Sequence, residues 1–290
     1  MMLKNKLFAY ILFAINALIF SGCDLANPPE DIPAYIHIKD YTLTTDPIKE
    51  GTSANKITDA WLYVGNSFLG AFELPTTVPS LEKGMKEAII MAGVKENGIS
   101  TTHVPYPFYQ SYKTIIDLKE TKVDTIKPVW KYKEETRFPW IEDFEGSAIS
   151  IENNTLVGST TDFRVTTSTD SAFEGNSALA ATLDKNHTYF ECITKNAYQM
   201  PRGKAVWLEL NYKTEVPVEV GVQSIGAAGN AHLFVAGMKP SANWNKIYIN
   251  LTTTVSYEPQ TQVFRIYIAA FNEGNGGRIL IDNIKLLNLE

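Results

Sequence analysis

Apolar residues along this chain recur at every second position far more often than at every third or fourth. Tyr35-Ile36-His37-Ile38-Lys39-Asp40-Tyr41 alternates, the period of a half-buried strand. Ala60 to Val64, then Gly65-Asn66, then Ser67 to Leu74 reads as a hairpin whose turn residues tolerate positive φ. Ala88 to Ala92 follows a turn at Gly84, and Thr114 to Leu118 and Val123 to Lys127 continue the pattern. Further on, Ala205 to Tyr212, Val216 to Val222, Lys246 to Leu251, Val263 to Phe271 and Arg278 to Leu287 have the same character. Short strands punctuated by Gly and Pro predict an all-β protein. The 290 residues suffice for two domains, and the charged, aromatic stretch Val129–Pro139 marks the expected boundary. The expectation is two tandem β-sandwiches, residues 33–135 and 138–290.

One segment breaks the pattern. Leu7 to Phe20 is a run of fourteen residues, almost all apolar, behind Lys4 and Lys6. A membrane-spanning helix needs ~20 such residues, so this run reads as the hydrophobic core of a signal peptide over residues 1–22. It ends in Phe20-Ser21-Gly22-Cys23, which resembles the bacterial lipobox, with Phe20 where Leu is more usual. That resemblance implies cleavage before Cys23 and a covalent lipid on its sulfur. Residues 23–32, polar and bearing Pro28-Pro29, then form a tether. The implied address is the outer membrane, lipid-anchored and facing either the periplasm or the cell surface, in the style of Bacteroidetes surface lipoproteins.

Charge narrows the partners. The chain carries 26 basic and 32 acidic residues; without residues 1–22 the balance is 24 against 32, or −8. No basic stripe is present, which argues against nucleic acid. With Cys23 lipidated, Cys192 has no disulfide partner. It lies in the strand-like Thr188–Ile193, as a small buried hydrophobe or, with His187 nearby, as a thiol nucleophile. The four histidines are dispersed, and no G-x-S-x-G elbow, phosphate loop or HExxH motif occurs. The expectation is a non-enzyme, with a glycan hydrolase as the remote alternative.

Two resemblances concern the folded part. Asp59 to Val64, Gly70, Leu74-Pro75 and Leu81 to Gly84 are loosely similar to PEGA and transthyretin-like β-sandwiches. More extensively, Ile141 to Gly146, Phe173 to Leu179, Asn243 to Ile247 and Arg278 to Leu286 resemble, in order, four strands of the galactose-binding-like jelly rolls, the fold of many carbohydrate-binding modules. The resemblance implies a second domain of jelly-roll type and, as partner, a glycan or another envelope protein. The alternative is a structural subunit of an outer-membrane assembly.

Strict alternation puts Asp282 on one face with Leu280, Ile284 and Leu286. A carboxylate there must be paired, protonated or bound to a cation. In the jelly rolls an acid of the opening strand and one of the closing strand hold a structural Ca²⁺. Transferred by position, these are Glu145 and Asp282, with Asp143 competing. The alternative is that Asp282 accepts backbone N–H bonds. Finally, Tyr106, Phe108, Tyr109 and Tyr112, on a proline-flanked stretch, are candidates for stacking on a ligand or for plugging a core.

Overall fold

The computed structural model describes residues 30–168, 171–226, 229–259, 261–272, 274 and 276–290. The signal peptide and Cys23 lie outside these. The described chain is almost entirely β. Its first half runs β1 (Ala34–Ile38), β2 (Thr42–Thr44), β3 (Asp59–Val64), β4 (Ser67–Glu73), β5 (Thr76–Ser80), β6 (Gly84–Lys95), β7 (His103–Pro105), β8 (Tyr112–Leu118), β9 (Val123–Ile126) and β10 (Val129–Lys131). A five-stranded sheet has the order β4-β3-β6-β7, with β8 also on β6. It is accompanied by a three-stranded sheet, β5-β1-β9, and the pair β10-β2. The β3–β4 hairpin turns at Gly65, where φ is +57°.

The second half runs β11 (Thr136–Glu142), β12 (Ile151–Asn153), β13 (Arg164–Thr166), β14 (Ala178–Leu183), β15 (Tyr189–Thr194), β16 (Tyr198–Gln199), β17 (Val206–Thr214), β18 (Val218–Gly226), β19 (Gly229–Met238), β20 (Ser241–Asn250), helix α1 (Thr252–Tyr257), β21 (Val263–Phe271) and β22 (Gly277–Leu289). Two six-stranded sheets form a sandwich. One has the order β13-β14-β22-β17-β20, with β11 on β22; the other is β12-β15-β21-β18-β19, with β16 on β21. Alternate residues of each strand meet between the sheets. Leu208 and Leu210 come from one side, and Val220, Val222, Ile266 and Ile268 from the other. Removing any one such side chain to alanine costs about 2–5 kcal/mol.

The halves are not two beads on an open linker. Within the boundary stretch Trp130, Tyr132 and Thr136 are buried, while Lys131, Glu134, Glu135 and Arg137 between and after them face solvent. Trp207, Tyr248 and Leu287 project from the first sheet of the sandwich into the apolar core of the first half. That sheet is therefore the docked sheet. Backbone joins the two as well, with Asn97 N donating to Tyr248 O at 2.8 Å. The other sheet of the sandwich makes no such contact among the described residues, and its outer face is open.

The closing strand departs from strict alternation. β14 pairs with β22 up to Ile281 and β11 pairs with it from Ile284. Between them Asn283 sits at φ +50° and the pairing to β17 slips by one. This is a β-bulge, which reverses which face later residues take; Asn is among the residues that accept positive φ. Ile279 and Ile281, then Ile284 and Leu286, all face the sandwich core. Asp282 thus does not share a face with Ile284 and Leu286 as alternation predicts. The opening strand is also shorter than expected: β11 ends at Glu142, and Phe144, at φ +60°, belongs to a loop.

Candidate functional site

The aromatic stretch, a candidate for stacking on a ligand or for plugging a core, is largely covered. Tyr106, Phe108 and Tyr109 are 3%, 0% and 4% exposed, and only Tyr112, on β8, is part-exposed. The Tyr106 ring makes edge contacts with Trp207 at 5.4 Å and Tyr248 at 4.9 Å. These rings plug the seam between the halves, because the docked sheet offers them an apolar surface. In the same seam Glu209, fully buried, lies 2.8 Å from Lys246 Nζ and accepts bonds from the hydroxyls of Tyr106 at 2.7 Å and Tyr132 at 2.9 Å. Burial pushes the Glu209 carboxyl up, but Lys246 and Lys285 outweigh it and hold it below its ordinary value. Burial lowers Lys285 to about 8, and its ammonium donates to Thr52 O at 2.5 Å. Cys192 is 1% exposed and burial pushes its thiol far up, so it is a core residue and no nucleophile.

The open sheet carries a different constellation. On its outer face Tyr189 of β15 stands opposite Phe271 of β21, rings 4.4 Å apart and 25° from parallel, with Phe271 52% exposed. Next along β15 is Glu191, 2% exposed. It accepts bonds from the Tyr189 hydroxyl, from Asn154 Nδ2 at 2.5 Å and from His232 Nε2 at 2.9 Å. His232 lies on β19, and β21 and β18 intervene between it and Glu191. A side chain of the edge strand therefore reaches back over two strands. Its ring packs at 4.7 Å against Tyr267, and Tyr267 in turn lies over Gly221. A Cβ there would fall 2.4 Å from both the Tyr267 ring and Leu233 O, so glycine is what lets the floor sink. Burial, then the charges of Glu219 and Glu191, push the Tyr267 hydroxyl up to about 12.

Gln223 stands opposite His232, and Phe234 of β19 is 57% exposed. The result is a shallow face with exposed ring surfaces at its ends and fixed polar groups between them. Exposed aromatic rings pack on apolar C–H surfaces, while the polar groups suit hydroxyls. Glu191 already holds three donors and is shielded from solvent. It braces the face and is not placed to exchange a proton with a ligand. The sequence reading missed this face because each of its strands also carries core residues on its other side, so β21 reads as a continuous apolar run.

The expected ion-binding acids gather at the bulge. Asp282, 0% exposed, accepts from Phe173 N at 2.9 Å, Glu174 N at 3.2 Å and Asn283 N at 2.7 Å. Glu145 Oε1 accepts from Asn176 N and Ser177 N. Burial lifts Asp282 to about 7; the backbone donors oppose this and Glu145 adds to it. Asp143, Glu145 and Glu174 line an adjoining cavity of about 310 Å³, with Lys285 across it. Asp143 spends one oxygen on Glu145 N at 3.1 Å, a local turn. Asp282 has a charged carboxylate neighbour and no ion pair with a described residue. A cation at Asp282 and Glu145 would offset that charge, but backbone donors already occupy part of each carboxylate, and the acids here do not bring three ligand atoms within 4.8 Å of one another.

Among the described residues, one group of three such side chains has ligand atoms within 4.8 Å of one another: Asp59, Glu73 and His103. Both imidazole nitrogens there face acceptors, Nδ1 toward Asp59 at 2.7 Å and Nε2 toward Ser100 O at 2.8 Å. A ring so held keeps its protons and offers a metal no lone pair.

No family model matches this sequence, and no curated protein matches it. Among solved structures it is similar to the first CBM22 xylan-binding domain of Paenibacillus barcinonensis Xyn10C, at 15% identity over 55% of this chain and 98% of that one, TM-score 0.41. It is also similar to the C-terminal family 22 carbohydrate-binding module of Clostridium thermocellum Xyn10B, at 12% identity over 51% and 91%, TM-score 0.37. A third is TmCBM61 in complex with β-1,4-galactotriose, at 14% identity over 47% and 85%, TM-score 0.30. These neighbours are carbohydrate-binding modules. What this chain binds must be read from its own residues.

Proposed function

We propose that this protein is a non-catalytic glycan-binding lipoprotein whose ligand lies across the open sheet. The observation that carries the reading is the Tyr189–Phe271 pair, half-exposed, beside the Glu191 cluster that fixes Tyr189 and His232. Aromatic side chains that anchor a ligand are held rigid at low entropic cost when their polar ends are tied down. In this reading Cys23 carries a lipid that holds the fold at the outer membrane, and a Ca²⁺ at Asp282 and Glu145 braces the loops beside the bulge. No helix among the described residues is long and apolar enough to cross a membrane, so within them the lipid has no competitor of that kind.

Affinity electrophoresis tests the reading, with xylan and β-1,4-galactan cast into the gel beside other plant and microbial polysaccharides. At least one should retard the mature protein, and Phe271→Ala should weaken that retardation about tenfold, the equivalent of ~1.4 kcal/mol. Equal mobility of wild type and Phe271→Ala in every gel that retards the protein would move the site off this sheet. Mobility unaffected by any polysaccharide would remove the function.

A further inference from the structure

The first half carries a second face of similar chemistry, remote from the open sheet. On the outer side of its five-stranded sheet, Trp61 of β3 stands opposite Ala71 and Met91, and Tyr63 stands opposite Phe68. The Trp61 and Phe68 rings are 5.8 Å apart and 22° from parallel, Tyr63 and Phe68 are 4.7 Å apart, and Phe68 is 49% exposed. One step along β3 the same face turns polar. Asp59 stands opposite Glu73, the His103 ring bonds to Asp59, and the Glu73 side chain is 71% exposed.

Gly93 separates the two regions. A Cβ there would lie 2.8 Å from Asp59 Cβ and 3.0 Å from Trp61 Nε1, so glycine leaves a dip between ring and carboxylates. The Trp61 indole N–H is buried at this dip and has no hydrogen-bond partner, although buried donors are nearly always paired. The apolar side chains of the second half dock on the Tyr106–Tyr109 and Trp130–Tyr132 surfaces.

We infer that this face is a second glycan-binding site, for a neutral pyranose chain. Its C–H faces would lie on Trp61 and Phe68, and its hydroxyls would meet Glu73 and the unpaired indole N–H. Asp59 is paired with His103 and Glu73 lies 3.5 Å from Lys95, so the carboxylates of this face are already matched and a neutral sugar fits them better than a charged one. The inference takes its ligand class from the proposed function, but its residues are independent of the open sheet. Two sites on one rigid chain would act through avidity on a polymer, without any new contact.

Isothermal titration of the chain without its lipid-bearing cysteine, residues 24–290, with cellohexaose, xylohexaose and a β-1,4-galacto-oligosaccharide tests it. At least one sugar should bind at two per chain. Trp61→Ala and Phe68→Ala should each reduce this to one, with Phe68→Ala leaving the melting temperature unchanged because its ring is half in solvent. Phe271→Ala should remove the other equivalent. A stoichiometry of one that survives both Trp61→Ala and Phe68→Ala overturns this site and leaves the open sheet standing. One that survives Phe271→Ala but not Trp61→Ala upholds this site and overturns the open sheet. Binding by none of the sugars overturns both.

Discussion

Glu209 and Lys246 face each other at 2.8 Å with side chains 0% and 3% exposed, in the seam where the two halves of the chain meet. Ion pairs so deep are costly to bury, and they are tolerated only when every partner is in place. Here Tyr106 and Tyr132, both from the first half, donate to one oxygen of a carboxylate that belongs to the second, and its other oxygen faces Lys246.

Glu209→Ala should therefore destabilise the protein by about 3–5 kcal/mol, the cost of leaving a buried charge without its partner. Chemical denaturation read by tryptophan fluorescence measures it. Tyr132→Phe, which removes one hydroxyl and no charge, should cost far less, about 1–3 kcal/mol.

The same seam predicts how the chain responds to protease. Trp130 and Tyr132 are 0% and 3% exposed, so residues 129–139 should resist limited proteolysis, and the halves should melt in one transition. Two separate calorimetric peaks, or an early cut in this stretch, would show that the halves are independent.

Strand period and turn chemistry made the β architecture readable from the residues. The β3–β4 hairpin around Gly65 and the closing strand from Arg278 were both visible in the alternation. The register beyond Asp282 was not, because one positive-φ asparagine inverts the faces and leaves no mark in hydrophobic periodicity. The aromatic stretch at Tyr106 stayed open between ligand contact and core plug for a related reason. An apolar ring looks the same in sequence whether water, sugar or another domain covers it. The open face stayed hidden because Tyr189, Glu191, His232 and Phe271 come from three strands whose pairing only the fold reveals.

His103 gives a pH signature. The bond to Asp59 raises it above the ordinary histidine value. Its protonated form is thus favoured in the folded state. The stabilisation is full below the unfolded value near 6.5 and is lost as pH rises through the higher folded value. Two-dimensional NMR of the imidazole should show His103 titrating above 6.5, and Asp59→Asn should bring it down. A His103 midpoint unmoved by that substitution would mean the pair at 2.7 Å does not persist in solution.

The acids at the bulge give the last test. Asp282 and Glu145 repel each other, and burial adds to the cost of ionising Asp282, so a bound cation would relieve both. Such a ligand stabilises the native state by about 2.7 kcal/mol when its free concentration is a hundred times Kd. In a protein of this size that moves the melting midpoint by roughly 5–10 °C. Chelation should lower the midpoint of the mature protein by this order and added Ca²⁺ should restore it. Asp282→Ala should melt lower than wild type and ignore both treatments, since its three backbone donors lose their acceptor whether or not an ion is present. Glu145→Gln separates the two causes. It keeps an oxygen to accept from Asn176 N and Ser177 N but removes the charge, so it should abolish the Ca²⁺ response while leaving the chelated midpoint little changed. Wild type that melts identically with chelator and with Ca²⁺ would assign Asp282 wholly to the N–H groups of Phe173, Glu174 and Asn283.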